Sequence, residues 1–396
     1  MFVLLVAGLS LSCGVAPPAQ PPEQARLSRR ITALIAQLGD NSFARREVAS
    51  KALVAIGAPA FAALRKAARS SADLEVRKRA QRALRAIVAR LEIRRFAGHG
   101  DGVIAVALSP DGKRALSGPV CYTSKDSAAR LWDVQTGKEL RRFQGHAGGV
   151  YAVAFSPDGK QALTGGDRTV RLWDVATGKE LKCLVGHSDH VYDAVFSPDG
   201  KFVLSGSVDR TARLWDAATG KEVKRFVGHT STVRRVTFAP DGKRVLTRGL
   251  FTDQTVRLWD VKSGKELKRF HRPYPPAVPG TLGTLGIAFS ADGKLIAAAG
   301  PDNIVRVWAL AAGKEVLCLK GHAGEVSAVA FSPDGTRLLS GGENGAIRLW
   351  DVQSGEELGV LKGHTHRVWG LVWSADGRHA LSCSFDRTLR WWRIPR

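Results

Sequence analysis

Beyond Leu91 the chain repeats a pattern of short apolar runs separated by polar turns. Residues 138–174 show one unit, in which KELRRF, VYAVAFS, QALTG and VRLWDV read as four strands bounded by SPDG and TGK turn chemistry. The unit recurs about every 42 residues. Its tryptophan and its SPDG-type aspartate each recur in seven units, from Trp132 and Asp111 to Trp392 and Asp376. Such a unit cannot bury its apolar face alone, whereas radial stacking of neighbours does so and leaves only short edges. The pattern predicts an all-β seven-bladed propeller over residues 91–396. LEIRRFAGH at 91–99 matches the fourth-strand segment KELRRFQGH, while the last unit ends after its third strand. Residues 91–97 are therefore the expected closure strand.

Residues 25–90 carry helical periodicity instead. Ile31, Leu34, Ile35 and Leu38 share one helix face, with Ser28 as the expected N-cap and Gly39 as the stop. A second helix runs from Asn41 or Ser42 to Gly57, Pro59 sits in a first helical turn, and Ala72 and Asp73 open another. FARREVASKALVAIG and LEVRKRAQRALRAI are similar, giving two αα-hairpins and a unit of about 33 residues. This small all-α N-terminal domain resembles HEAT repeats.

The formal charge of +23 changes the picture mainly at the N-terminus. Residues 1–91 hold 15 Lys+Arg against 5 Asp+Glu, and Arg77, Lys78, Arg79, Arg82 and Arg85 crowd one helix. Nucleic-acid or anionic-ligand binding through that helix is one reading, and a solvated face is the other. Residues 1–24 combine an apolar run, Cys13 and a Pro-rich tether. They resemble a bacterial lipoprotein signal, which implies an envelope or extracytoplasmic location and lipidation of Cys13. A misassigned start, and a cytoplasmic protein, is the alternative. The five cysteines lack CxxC spacing, so no zinc site or disulfide framework is expected, and Cys183 and Cys318 read as packed strand thiols.

A Gly-His pair precedes six of the seven units and Asp follows Trp in five. On these motifs the chain resembles the Trp-Asp repeat propeller family. The resemblance implies a buried hydrogen-bonded tetrad within each blade: His146, Thr164, Asp167 and Trp173; His187, Ser205, Asp209 and Trp215; His229, Thr247, Asp253 and Trp259; His364, Ser382, Asp386 and Trp392. A His-Ser-Asp set that recurs in blade after blade is structural, not a catalytic triad. No phosphate loop, metal-ligand cluster or isolated nucleophile beside a base stands out. No catalytic residue, metal or cofactor is expected. A sensor or enzyme using the central channel stays as an alternative. The fifth unit has Arg272-Pro273 for Gly-His and Ala298 for Ser, which predicts the least ordered blade and leaves Asp302 and Trp308 without their usual partners. In the sixth, Asn344 replaces the aspartate and is expected to keep the hydrogen-bonding shape.

Insertions in the first, fourth and fifth units all fall on the face that bears the Gly-His loops, which marks it as the binding side. Partner contacts in the family cluster at the third and fifth residues after the Gly-His histidine and just before the tetrad acid. Carried over, these positions include Tyr151, His190, Tyr192, Arg234, Arg367, Trp369 and Phe385, an aromatic and cationic rim suited to an acidic peptide or loop. The expected protein is a monomeric, non-catalytic scaffold for a protein or peptide, with membrane contact only through the N-terminal anchor.

Overall fold

The structure is a computed structural model that describes residues 22–88, 91–121, 126–250, 252–253, 255–270 and 286–394. Cys13, Lys125, Phe251 and most of the insertion between Phe270 and Phe289 lie outside the described residues. The chain forms two compact units that divide between Leu84 and Arg85.

The first unit is built from α1 (Pro22–Gln37), α2 (Phe43–Ile56), a 3-10 turn (Ala58–Ala60), α3 (Phe61–Ser70) and α4 (Leu74–Val88). Ser28 is not a cap. The helix-forming residues Gln24, Ala25, Arg26 and Leu27 carry α1 back to Pro22, and the Ser28 carbonyl accepts a hydrogen bond from Thr32 within the helix. Asp73 caps α4 by accepting from the N–H groups of Glu75 and Val76. Arg46 and Arg77, at matching places in α2 and α4, each fold back onto two carbonyls ahead of their own helix: Asp40 and Asn41 for one, Ser71 and Ala72 for the other. Their spacing of 31 residues is the structural repeat, slightly shorter than the sequence pattern implies. Buried Arg79 ties α2 to α4 by reaching Glu47 at 2.6 Å and Glu75 at 2.5 Å. Two of the cations on the basic helix are thus engaged within the unit itself.

The second unit is a ring of seven four-stranded antiparallel sheets. Strands are lettered a to d from the channel outward; blade one comprises Val103–Leu108, Arg114–Pro119, Ala129–Asp133 and Glu139–Phe143. The innermost strands contact one another around the full circle. Blade seven is completed by Glu92–Ala97, which pairs with Thr388–Arg393, as the repeat phase requires. Phe96 on that strand is buried and meets Trp132 of blade one edge-on, with ring centroids 6.0 Å apart.

Each sheet is two-faced, with Leu, Val and Trp side chains packed between neighbouring blades. The outer strands alternate differently. Cys183 and Cys318 sit on the solvent-facing phase of strand d and are exposed, so neither is a packed thiol. On the same strands a cation bridges each of four seams by donating to a turn carbonyl of the next blade. Arg94 reaches Thr136, Arg141 reaches Ala176 and Thr177, Lys224 reaches Lys262, and Lys268 reaches Leu310 and Ala311. Leu317 and Gly359 occupy this place in blades five and six, so the following two seams lack such a cation.

Candidate functional site

The polar chains inside the blades are the first candidate for chemistry. In blade three the Trp215 indole N–H donates to Ser205 Oγ at 2.8 Å, and Ser205 lies 2.8 Å from His187 Nε2. His187 Nδ1 lies 2.7 Å from Asp209. A neutral imidazole with its proton on Nδ1 satisfies every atom, because the serine hydroxyl then donates to Nε2. Blade two repeats this with His146, Thr164, Asp167 and Trp173. Blade four does so with His229, Thr247, Asp253 and Trp259, and blade seven with His364, Ser382, Asp386 and Trp392. Blade one has the same chain through His99, Ser117, Asp126 and Trp132.

Burial sets the protonation. It drives the His187 imidazole below its ordinary range against the pull of Asp209, keeping it neutral. Burial opposes ionisation of Asp209, but bonds from His187 and Thr211 outweigh it and hold the carboxyl well below its usual range.

Sequence reasoning missed a fifth member. An arginine stands two residues before every repeat tryptophan, and in blades one, three, four and seven it ties the inner chain to the outer strand. Arg213 reaches Asp209 at 3.2 Å and Glu222 at 2.7 Å. Arg130 and Arg257 bridge the corresponding pairs in blades one and four. Arg390 joins Asp386 to Glu92 of the closure strand. The signal was visible as the recurrent R-x-W triplet, but an arginine on a strand reads as a solvent-facing residue until the Glu opposite it is placed.

Blade five has Ala298 at the tetrad serine position, yet Asp302 keeps an ionic partner. Asp302 pairs with Arg306 at 2.6 Å, and Arg306 also meets Glu315. Arg248, from strand b of blade four (Arg244–Gly249), enters from the side and donates to Ala299 O at 2.9 Å and Gly286 O at 3.3 Å. Blade six corrects the expectation for Asn344. Its side-chain oxygen accepts from the Ala346 N–H, and His322 Nδ1 is buried without a hydrogen-bond partner. Burial, with Arg348 close by, lowers the His322 pKa to about 4.

The Gly-His-loop face divides the anticipated rim in two. On blades two to four the residues form one strip. Tyr151 meets His190 at 5.9 Å and Tyr192 at 5.0 Å, both edge-on, and Arg234 lies 4.1 Å over the Tyr192 ring. His190 is exposed, and Tyr151, Tyr192 and Arg234 are half-buried. On blades six and seven the anticipated residues are interior. Trp369 is only 3% exposed and Arg367 8%. Arg367 lies between Glu325 and Glu343, 2.8 Å from each. Trp369 packs against Phe385 and beneath the guanidinium groups of Arg234 and Arg367. Phe385 itself is half-buried and lies so close over Gly102 that a Cβ there would collide with its ring. These residues form the floor of the mouth, not a free rim.

Below the mouth lies a cavity of about 210 Å3 lined mainly by aliphatic side chains of the innermost strands, with Asp193 and Arg235 as its charged residues. Arg235 spans the channel from blade four to the Trp369 carbonyl of blade seven, 3.2 Å away, and lies 3.6 Å from Asp193. Burial pushes the Asp193 carboxyl up, while Arg235 and the Val236 N–H oppose that shift.

Comparison with known proteins agrees with this geometry. The sequence model of the family described as WD domain, G-beta repeat matches residues 91–133, 137–174, 178–216, 220–260, 280–309, 313–351 and 355–393. A search of curated proteins finds no match. Seven matched segments, one for each sheet and together more than half of the chain, place this protein in the WD domain, G-beta repeat family.

Proposed function

We propose that the protein is an interaction scaffold that holds a protein or peptide segment on its Gly-His-loop face, over blades two to four. Propellers of this family generally serve as protein-interaction scaffolds. The observation that carries the choice of surface is the contiguous strip of Tyr151, His190, Tyr192 and Arg234, aromatic and arginine side chains of the kind that dominate interface energies. The His-Ser-Asp sets support a scaffold more than an enzyme. In blade three the fully buried Ser205 hydroxyl accepts a hydrogen bond from the Trp215 N–H and donates one to His187 Nε2. It is therefore spent on holding the blade.

The test uses the full-length chain with His190→Glu and Tyr192→Ser combined. Trp369 is unsuited to it, since truncating so buried a ring would disturb the fold. Partner recovered by cross-linking to the wild-type chain is expected to fall at least tenfold with the double variant at an unchanged melting temperature. Undiminished recovery would overturn the assignment to this surface.

A further inference from the structure

The chemistry of the partner can be narrowed by the turns that flank the strip. In blades two and three the residue after the tetrad acid is Arg168 or Arg210, exposed and in the left-handed region with φ of 72° and 70°. The same turn carries a third exposed arginine, Arg387, in blade seven (φ 67°), whereas Asn303 in blade five (φ 63°) and Gly345 in blade six (φ 77°) are residue types that adopt this conformation at less cost. Neither the Arg168 nor the Arg210 guanidinium meets a partner among the described residues. Asn303 shows that this turn does not require an arginine. Arg168 and Arg210 stand in turns of the two consecutive blades that carry Tyr151, His190 and Tyr192, with Arg234 on the third.

The acids near this strip are largely committed. Asp167 and Asp209 belong to the tetrads, and Asp189 accepts from the His190 N–H. We infer that the surface over blades two to four takes an acidic protein segment whose carboxylates pair with Arg168, Arg210 and Arg234; this rests on the scaffold reading above. Guanidinium groups suit carboxylates through forked hydrogen bonds. A nucleic acid fits less well, because base stacking needs an open aromatic face. Arg234 covers the Tyr192 ring, and Tyr151 is packed edge-on against two neighbours.

Fluorescence anisotropy on the full-length chain tests this with three labelled probes: a peptide of alternating Asp and Gly, its Asn and Gly counterpart, and oligothymidylate. Arg168→Asn with Arg210→Asn is the test variant, chosen because blade five already accommodates asparagine in this turn. Lys78→Gln with Arg82→Gln removes the same charge from exposed positions of α4. The acidic peptide is expected to bind with an affinity that falls as salt rises, to weaken at least tenfold in the Arg168/Arg210 variant, and to be unaffected in the other, with no binding of the neutral peptide. Equal affinity for wild type and the Arg168/Arg210 variant, equal loss in both variants, or tighter binding of oligothymidylate through the same arginines would each overturn the inference. If the native partner is lost with His190→Glu and Tyr192→Ser but kept by the Arg168/Arg210 variant, the acidic reading falls and the scaffold surface stands. If it is kept by both, both fall.

Discussion

The guanidinium of Arg248 in blade four donates to the carbonyl of Ala299 in blade five across 2.9 Å. Most other blades have glycine at the place of Arg248, where a Cβ would press on the next blade; at Gly118 it would lie 2.4 Å from Val150 O. The described innermost strand of blade five is Ile287–Phe289, and the arginine lies against Gly286 just ahead of it. Fully buried, its pKa falls to about 10, so it keeps its proton at neutral pH. One departure from the repeat therefore compensates another in the neighbouring blade.

Replacing Arg248 tests that compensation. Arg248→Met keeps volume but removes the guanidinium that donates to the Ala299 and Gly286 carbonyls, at a cost of about 2–3 kcal/mol. Arg248→Gly restores the residue of most other blades and should be no milder, because it removes the same donor. Thermal unfolding of both variants checks this; a neutral Arg248→Gly would show that the arginine does not support blade five.

His322 gives a pH prediction. The unfolded imidazole takes up a proton near 6.5, whereas the folded one resists until about 4. The unfolded state thus binds more protons in this window, and stability falls as pH drops from 7 toward 4.5, by about 2 kcal/mol from this residue. Asn344→Asp supplies the missing acceptor for Nδ1–H, beside Arg348. It should raise the melting temperature at pH 7 and flatten its decline with acid. Melting temperatures of the variant and wild type across pH 4.5–7.5 decide the matter, and parallel curves would contradict it.

The ring, its seven blades and its strand closure were legible because they depend on periodicity: a strand alternates with period two and a blade repeats its tryptophan. What was not legible depended on neighbours distant in sequence. Ala298 and the missing Gly-His pair correctly marked blade five as unusual, but nothing adjacent to them announces Arg248, which belongs to the preceding unit. Trp369 aligns with Tyr192, yet one ring is interior and the other half-exposed, since Trp369 packs against Phe385 and lies beneath Arg234 and Arg367. Cys183 and Cys318 were misread by one residue of strand phase, enough to exchange core for solvent.

Closure offers a third test. Phe96 is 1% exposed and is the apolar anchor of the strand that completes blade seven. Phe96→Ala should cost about 3–4 kcal/mol. Hydrogen exchange should show the loss at Thr388–Arg393, the strand paired with it. Leu361→Ala, in the outer strand of blade six, should destabilise without exposing that segment. Equal protection of Thr388–Arg393 in the two variants would mean that the ring does not open at this seam.

The recurrent arginine gives the last prediction. Arg213 holds Asp209, Glu222 and, through Nε, Thr211 Oγ1 at 3.3 Å. It is 5% exposed, so these contacts are shielded from solvent. A lysine keeps the charge but has a single ammonium group that cannot span two carboxylates. Arg213→Lys should therefore destabilise by about 1–3 kcal/mol. Glu222→Gln alone should cost less, because Arg213 retains Asp209. Combined, the two substitutions should cost clearly less than their sum, since each removes the same inner-to-outer link. A double-mutant cycle by chemical denaturation measures this, and strict additivity would show that Arg213 and Glu222 do not act as one bridge.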